Sequence, residues 1–104
     1  MGGWERLMKK LYVIVRKDLS ISQRAVQAGH AVAEFLLRGP LTRWSNGTLI
    51  YLGVKGLTQL ENIKQKFEWE DIPYMEFREP DLDNEVTAIA TDIHTKHVER
   101  LNLL

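Results

Sequence analysis

The side chains able to do chemistry in this 104-residue chain gather at two turns. The first holds Arg16, Lys17, Asp18, Ser20, Ser22, Gln23 and Arg24, and the second holds Arg78, Glu79, Asp81, Asp83 and Asn84. A basic cluster facing an acidic one suits a phosphate-holding cation beside a positioned carboxylate. It suits a plain salt-bridged pair of loops equally well. The sequence has no Gly-x4-Gly-Lys-Ser/Thr phosphate loop, no Gly-x-Gly-x-x-Gly dinucleotide turn and no Gly-x-Ser-x-Gly nucleophile elbow. His94 and His97 stand three apart near Asp92 and Glu99. A metal centre needs further ligands, so they read as a solvated face and no metal is expected. His30, among Gly29, Ala31 and Val32, reads as a structural, partly buried imidazole that needs a hydrogen-bond partner.

Both turns must be held by regular elements. Leu11-Tyr12-Val13-Ile14-Val15 is a continuous apolar run rich in β-branched residues, the pattern of a strand buried on both faces. Charge at Arg16-Lys17-Asp18 ends it, and Ser22 offers an N-cap for a helix from Gln23 to about Leu37. That helix carries Ala25, Ala28, Gly29, Ala31 and Ala33, small enough to approach a sheet or another helix closely, and Gly39-Pro40 ends it. A loop follows with Trp44 folded back on the core, then a strand from Thr48 to Leu52. Thr58 and Glu61 read as a capping box, ahead of Leu60, Ile63, Lys64 and Phe67 at helical spacing. Pro73 precedes a strand over Tyr74–Phe77. A connection from Arg78 to Asn84, a strand over Glu85–Thr91 and a terminal helix from about Ile93, carrying Val98 and Leu101 inward, complete the chain.

The order β-α-β-α-β-β-α predicts an α/β fold with a mixed four-stranded sheet and helices on both faces. The first two strands pair in parallel and the third and fourth antiparallel. In such sheets the carboxyl ends of parallel strands hold ligands, and a helix N-terminus there favours anions. The first turn occupies that position.

Bulk properties bound the function. The length suits one domain, read over residues 10–104 with residues 1–9 as an extension ahead of it, and 44% hydrophobic with 27% charged residues is an ordinary globular composition. Fourteen basic and fourteen acidic side chains cancel, so RNA binding would need a local patch. The absence of cysteine excludes a disulfide framework, a thiolate metal site and a cysteine nucleophile, and it fits a reducing, cytoplasmic setting. Apolar runs of a few residues fall far short of the roughly 20 that span a bilayer, so no membrane partner is expected. Residues 1–10 carry no apolar signal stretch.

Val15-Arg16-Lys17-Asp18-Leu19 followed by Gln27-Ala28-Gly29-His30-Ala31 resembles the type 2 peptidyl-tRNA hydrolase family. That family has a strand ending in arginine, an Asp-Leu turn and a Gln-x-x-His-Ala helix. The likeness continues through the second strand and its helix to Ile72-Pro73 and covers most of residues 10–104. It implies hydrolysis of the ester between peptide and tRNA without a metal or cofactor. Carried over, it places Glu79 at the family's catalytic aspartate, with Asp81 beside it. Gln23 falls where the family has its key lysine, one residue before Arg24, and arginine is a poor proton carrier. The implied catalytic residues are Glu79 or Asp81, activating water, and Arg24, holding phosphate or the ester carbonyl; the implied substrate-binding residues are Arg16, Lys17, Asp18, Ser22, Gln23 and Gln27. The competing expectation is a catalytically inactive binding module for RNA or a protein partner. A small-ligand pocket under Trp44 and Trp69 is a weaker third, and a homodimer is a further partner expectation.

Overall fold

Strand β1, Lys10–Arg16, is the middle of the sheet and is buried from Leu11 onward in this computed structural model, which describes residues 9–39 and 44–104. Alternation divides its side chains between two cores. Leu11, Val13 and Val15 meet Ala28, Ala31 and Phe35 of helix α1 (Ile21–Arg38), together with Trp44. Tyr12 and Ile14 meet Leu60, Ile63 and Phe67 of helix α2 (Leu57–Trp69) on the other face. Helices therefore cover both faces, as the two-sided apolar run of β1 requires.

Strand β2 (Thr48–Val54) pairs with β1 in parallel, from Lys10 opposite Thr48 to Arg16 opposite Val54. Strands β3 (Met75–Glu79) and β4 (Glu85–Thr91) form an antiparallel hairpin, and β4 lies antiparallel to β1. The hairpin turns through a 3₁₀ segment, Pro80–Leu82, and left-handed Asp83 and Asn84, residue types that tolerate positive φ. Asn84 N–H closes the turn by donating to Glu79 O at 3.0 Å.

Among the described residues five strands, not four, make up the sheet, in the order β3-β4-β1-β2-β5. Strand β5 is only Asn102–Leu103, antiparallel to β2, and two residues carry no readable alternation. The expected terminal helix shrinks to one turn, α3 (Lys96–Glu99), capped by Thr95 Oγ1 accepting from His97 and Val98 N–H. Val98 is buried as expected, and Leu101 packs against the same core.

Two helix starts differ from their sequence signals. Ser20, not Ser22, caps α1: its backbone is extended, and its Oγ accepts from Gln23 N–H at 3.2 Å. The exposed Ile21 at the first helical position hides that start. At α2 the capping box does not form. Leu57 packs against the core and draws the helix start back to it, which leaves Gly56 as the cap and Thr58 inside the first turn. Helix α1 ends at Gly39, whose N–H donates to Phe35 O at 3.0 Å; Pro40 and residues 1–8 of the expected 1–9 extension lie outside the described residues.

Candidate functional site

At the hairpin end of the sheet, α1 runs beside β3 and presents Gln23, Gln27 and His30 at near-helical spacing toward it. Gln27 is completely buried. Its Nε2 donates to Glu79 Oε1 at 2.7 Å, and its Oε1 accepts from Thr87 Oγ1 at 2.7 Å. The same amide also donates to Gln23 Oε1 at 3.3 Å. Gln27 thus spans from β4 through the α1 interface to the half-buried Glu79, with every polar atom of its side chain used.

Thr87 reaches this site because β4 carries a β-bulge. Phe77 pairs with Ala88 while Arg78 pairs with Val86, which leaves Thr87 as the extra residue. Thr87 and Ala88 consequently both face α1, and the alternation resumes with Ile89 toward α2 and Ala90 toward α1.

The Gln27 amide holds the Glu79 carboxyl below the usual carboxylate range. The Asp81 N–H, donating to Oε2 at 3.3 Å, and the positive potential of His30 add to the effect. Glu79 is therefore an ionised hydrogen-bond acceptor at neutral pH. What Asp81 brings to it is a backbone donor; the Asp81 side chain itself is exposed.

His30 is exposed, which corrects the expectation of partial burial. Its ring stacks on Phe77 with centroids 4.1 Å apart and planes within 5°. Phe77 and Glu79, two apart on β3, share one face, so the imidazole stands over the edge strand on the carboxylate's side.

The arginines are committed elsewhere. Arg16 is buried at 6% exposure, on the α2 side with Tyr12 and Ile14. It forms paired bonds to Asp18 at 3.0 and 2.9 Å, bonds Glu85 at 2.7 Å and donates to Val86 O. These bonds push its guanidinium further up, and the Arg16 bonds hold Asp18 low. Arg16, read from sequence as a substrate-binding residue, thus stands in an ion pair with Asp18 and Glu85 where β4 runs alongside β1. Arg24 donates to Leu19 O at 2.9 Å and to Lys17 O, and so pins the turn ahead of its own helix. The Lys17 side chain lies across Gly53, away from Glu79. Ser22 is exposed on the first turn of α1.

The two turns thus form two separate arrangements at one sheet end. Gln23, Gln27 and Glu79 are brought together; Arg16, Asp18 and Lys17 are not part of that group. Sequence reasoning missed Thr87 and Phe77, whose roles depend on the bulge and the edge strand.

Trp44 packs into the α1-side core with its indole N–H on Thr48 O at 2.9 Å, whereas Trp69 is exposed on the α2 side, so the two share no pocket. Trp69 instead lines a groove of about 520 Å³ with Glu61, Gln65, Glu68 and Tyr74. His94 hydrogen-bonds the Tyr12 hydroxyl at 2.7 Å and Glu99 at 2.6 Å. His97 is buried, not solvated, and joins α3 to Glu70 after α2 at 2.7 Å. Among the described residues no three His, Asp or Glu side chains form a group fit for a metal ion, and no helix is long and apolar enough to cross a membrane.

Fold and site together define an α/β domain with a five-stranded mixed sheet and an amide-held carboxylate at one end. No family model and no curated protein sequence matches the chain. Among solved structures it is similar to a protein of unknown function from Agrobacterium tumefaciens, with a TM-score of 0.68 and 16% sequence identity, covering 92% of this chain and 97% of that one. That likeness is one of fold.

Proposed function

We propose that the chain is a peptidyl-tRNA hydrolase-like enzyme whose reaction centre lies at Glu79, Gln27 and His30. The observation that carries this reading is the Thr87–Gln27–Glu79 relay, a carboxylate kept ionised and aimed by a fully buried amide at an open sheet edge. In the proposed step Glu79 takes a proton from water, and the resulting hydroxide attacks the ester carbonyl. The bond to the ribose oxygen breaks, giving a peptide carboxylate and a tRNA hydroxyl. His30 is positioned on the same side to carry the proton to the leaving oxygen. Such acid–base assistance is worth about 10²–10⁴ in rate.

The test is release of tRNA from purified peptidyl-tRNA by the wild type, Glu79→Gln and His30→Ala. Wild-type turnover with a loss of about 10²-fold or more in Glu79→Gln supports the reading. No release at stoichiometric wild-type protein removes the enzymatic proposal.

The second reading, a binding module on the same scaffold, is favoured by a specific observation: Arg16 and Arg24 spend their guanidinium groups on internal acceptors. It predicts retention of a protein partner without cleavage, unaffected by Glu79→Gln.

A further inference from the structure

The outer face of α1 is unlike an ordinary surface helix. Ser22, Ala25, Val26, Gly29, Ala33, Leu36 and Leu37 are all exposed, and none is charged, in a chain that is 27% charged. Ile21, Val26, Leu36 and Leu37 are 80%, 49%, 54% and 75% exposed.

Gly29 is the more telling residue. It stands mid-helix without positive φ, and a Cβ built on it would meet nothing within 4 Å. Glycine there weakens the helix relative to alanine, and nothing among the described residues asks for it. A bare backbone is needed where another backbone comes close.

The residues are arranged symmetrically about Gly29. Four positions to either side stand Ala25 and Ala33, and eight positions to either side stand the exposed Ile21 and Leu37. An antiparallel pair of α1 helices with a two-fold axis at Gly29 sets Ala25 against Ala33 and Ile21 against Leu37 twice over, the self-complementary pattern of an isologous contact. Small residues at the crossing let the axes approach, and the large ones close the two ends, about 24 Å apart. The antiparallel arrangement also sets each helix C-terminus beside the partner's N-terminus, the favourable sense for the helix dipoles.

These four large, mostly exposed side chains, with the alanines and the rim, supply apolar area towards the roughly 800 Å² per partner that a stable interface buries. We infer that the chain forms a two-fold homodimer through the outer face of α1, with Gly29 at the crossing point.

Sedimentation equilibrium of the full chain at 1–100 µM tests this with paired variants. The wild type should be dimeric, and Ile21→Lys and Leu37→Glu should each weaken the dimer at least about tenfold with unchanged circular dichroism. Mixing these two variants should restore a heterodimer, because the introduced lysine then faces the introduced glutamate while the other end keeps its Ile21–Leu37 contact. Gly29→Ala separates the two roles of the position. It should weaken association in the wild-type background, yet raise the Tm of the monomeric Leu37→Glu protein by about 4 °C. A wild type that stays monomeric at 100 µM, a dimer indifferent to both charge substitutions, or no rescue on mixing would overturn the inference.

Discussion

Replacing Gln27 by leucine tests whether the buried amide organises the site. The Thr87 hydroxyl is buried, and its main partner is Gln27 Oε1 at 2.7 Å, with only a 3.4 Å contact to Phe77 O in reserve. Leaving such a hydroxyl unsatisfied costs about 1–3 kcal/mol. Glu79 is only half buried, so water replaces its lost bond and adds little. A loss near 2 kcal/mol lowers Tm by about 8–16 °C in a domain of this size. Thr87→Val alone removes the hydroxyl but leaves Gln27 Oε1 unpaired, a cost of about 1–2 kcal/mol. The double variant removes both partners at once and should lose about 1–2 kcal/mol less than the sum of the two single changes. Urea unfolding of the four proteins measures the cycle. Additivity within about 0.5 kcal/mol would refute the relay, since residues that do not interact behave that way.

The pH dependence separates the two ends of the relay. The folded-state pKa of Glu79 is depressed, so its contribution is present above the unfolded carboxyl value of about 4.3 and is lost as pH falls through the lower folded value. The Thr87 contribution does not titrate. The deficit of Gln27→Leu should therefore shrink in acid without vanishing. An NMR titration of the Glu79 carboxyl should move up toward about 4.3 in the variant. An unmoved titration would mean that the amide does not set the charge of Glu79.

Three further changes probe the frame. Ser20→Ala should cost about 1 kcal/mol in thermal melts, while Ser22→Ala stays within about 0.5 kcal/mol; the opposite ranking would return the cap to Ser22. Asp18 is held low by Arg16, so its share of stability is present above about 3.9 and fades below it. In Arg16→Met, urea midpoints should change less between pH 2.5 and 5 than in the wild type, and an identical slope would count against the pair. Phe67 is fully buried between α2, Tyr74 and His97. Its replacement by alanine should cost about 3–5 kcal/mol in urea unfolding, and a loss below about 1.5 would contradict its place in the core.

The strands that sequence resolved best were those with unbroken apolar runs: β1 as the two-sided central strand and β4 at its observed bounds. Connection lengths correctly implied the parallel β1–β2 pair and the antiparallel β3–β4 hairpin. What escaped depends on contacts distant in sequence. Strand β5 exists because the outer edge of β2 accepts a partner, with Leu104 N–H donating to Tyr51 O at 3.0 Å. Arg16 closes an apolar run as a loop cation would. Only the arrival of Glu85 and the Val86 carbonyl, 69 and 70 residues on, makes it a buried structural group.

The bulge at Thr87 links core packing to the site, and it explains why the site was only half legible. Without it, strict alternation from Val86 would turn Ile89 toward α1 and Ala88 and Ala90 toward α2. The α1 side, however, is a close contact built from Ala28 and Ala31, while the α2 side needs the bulk of Ile89 against Leu60 and Phe67. One extra residue reconciles a short β4 with both demands. The residue spent on the irregularity is Thr87, whose hydroxyl then points at Gln27 and aims Glu79. The same event that matches side-chain size to the two cores therefore builds the polar relay, so a substitution that straightens β4 should disturb packing and Glu79 together.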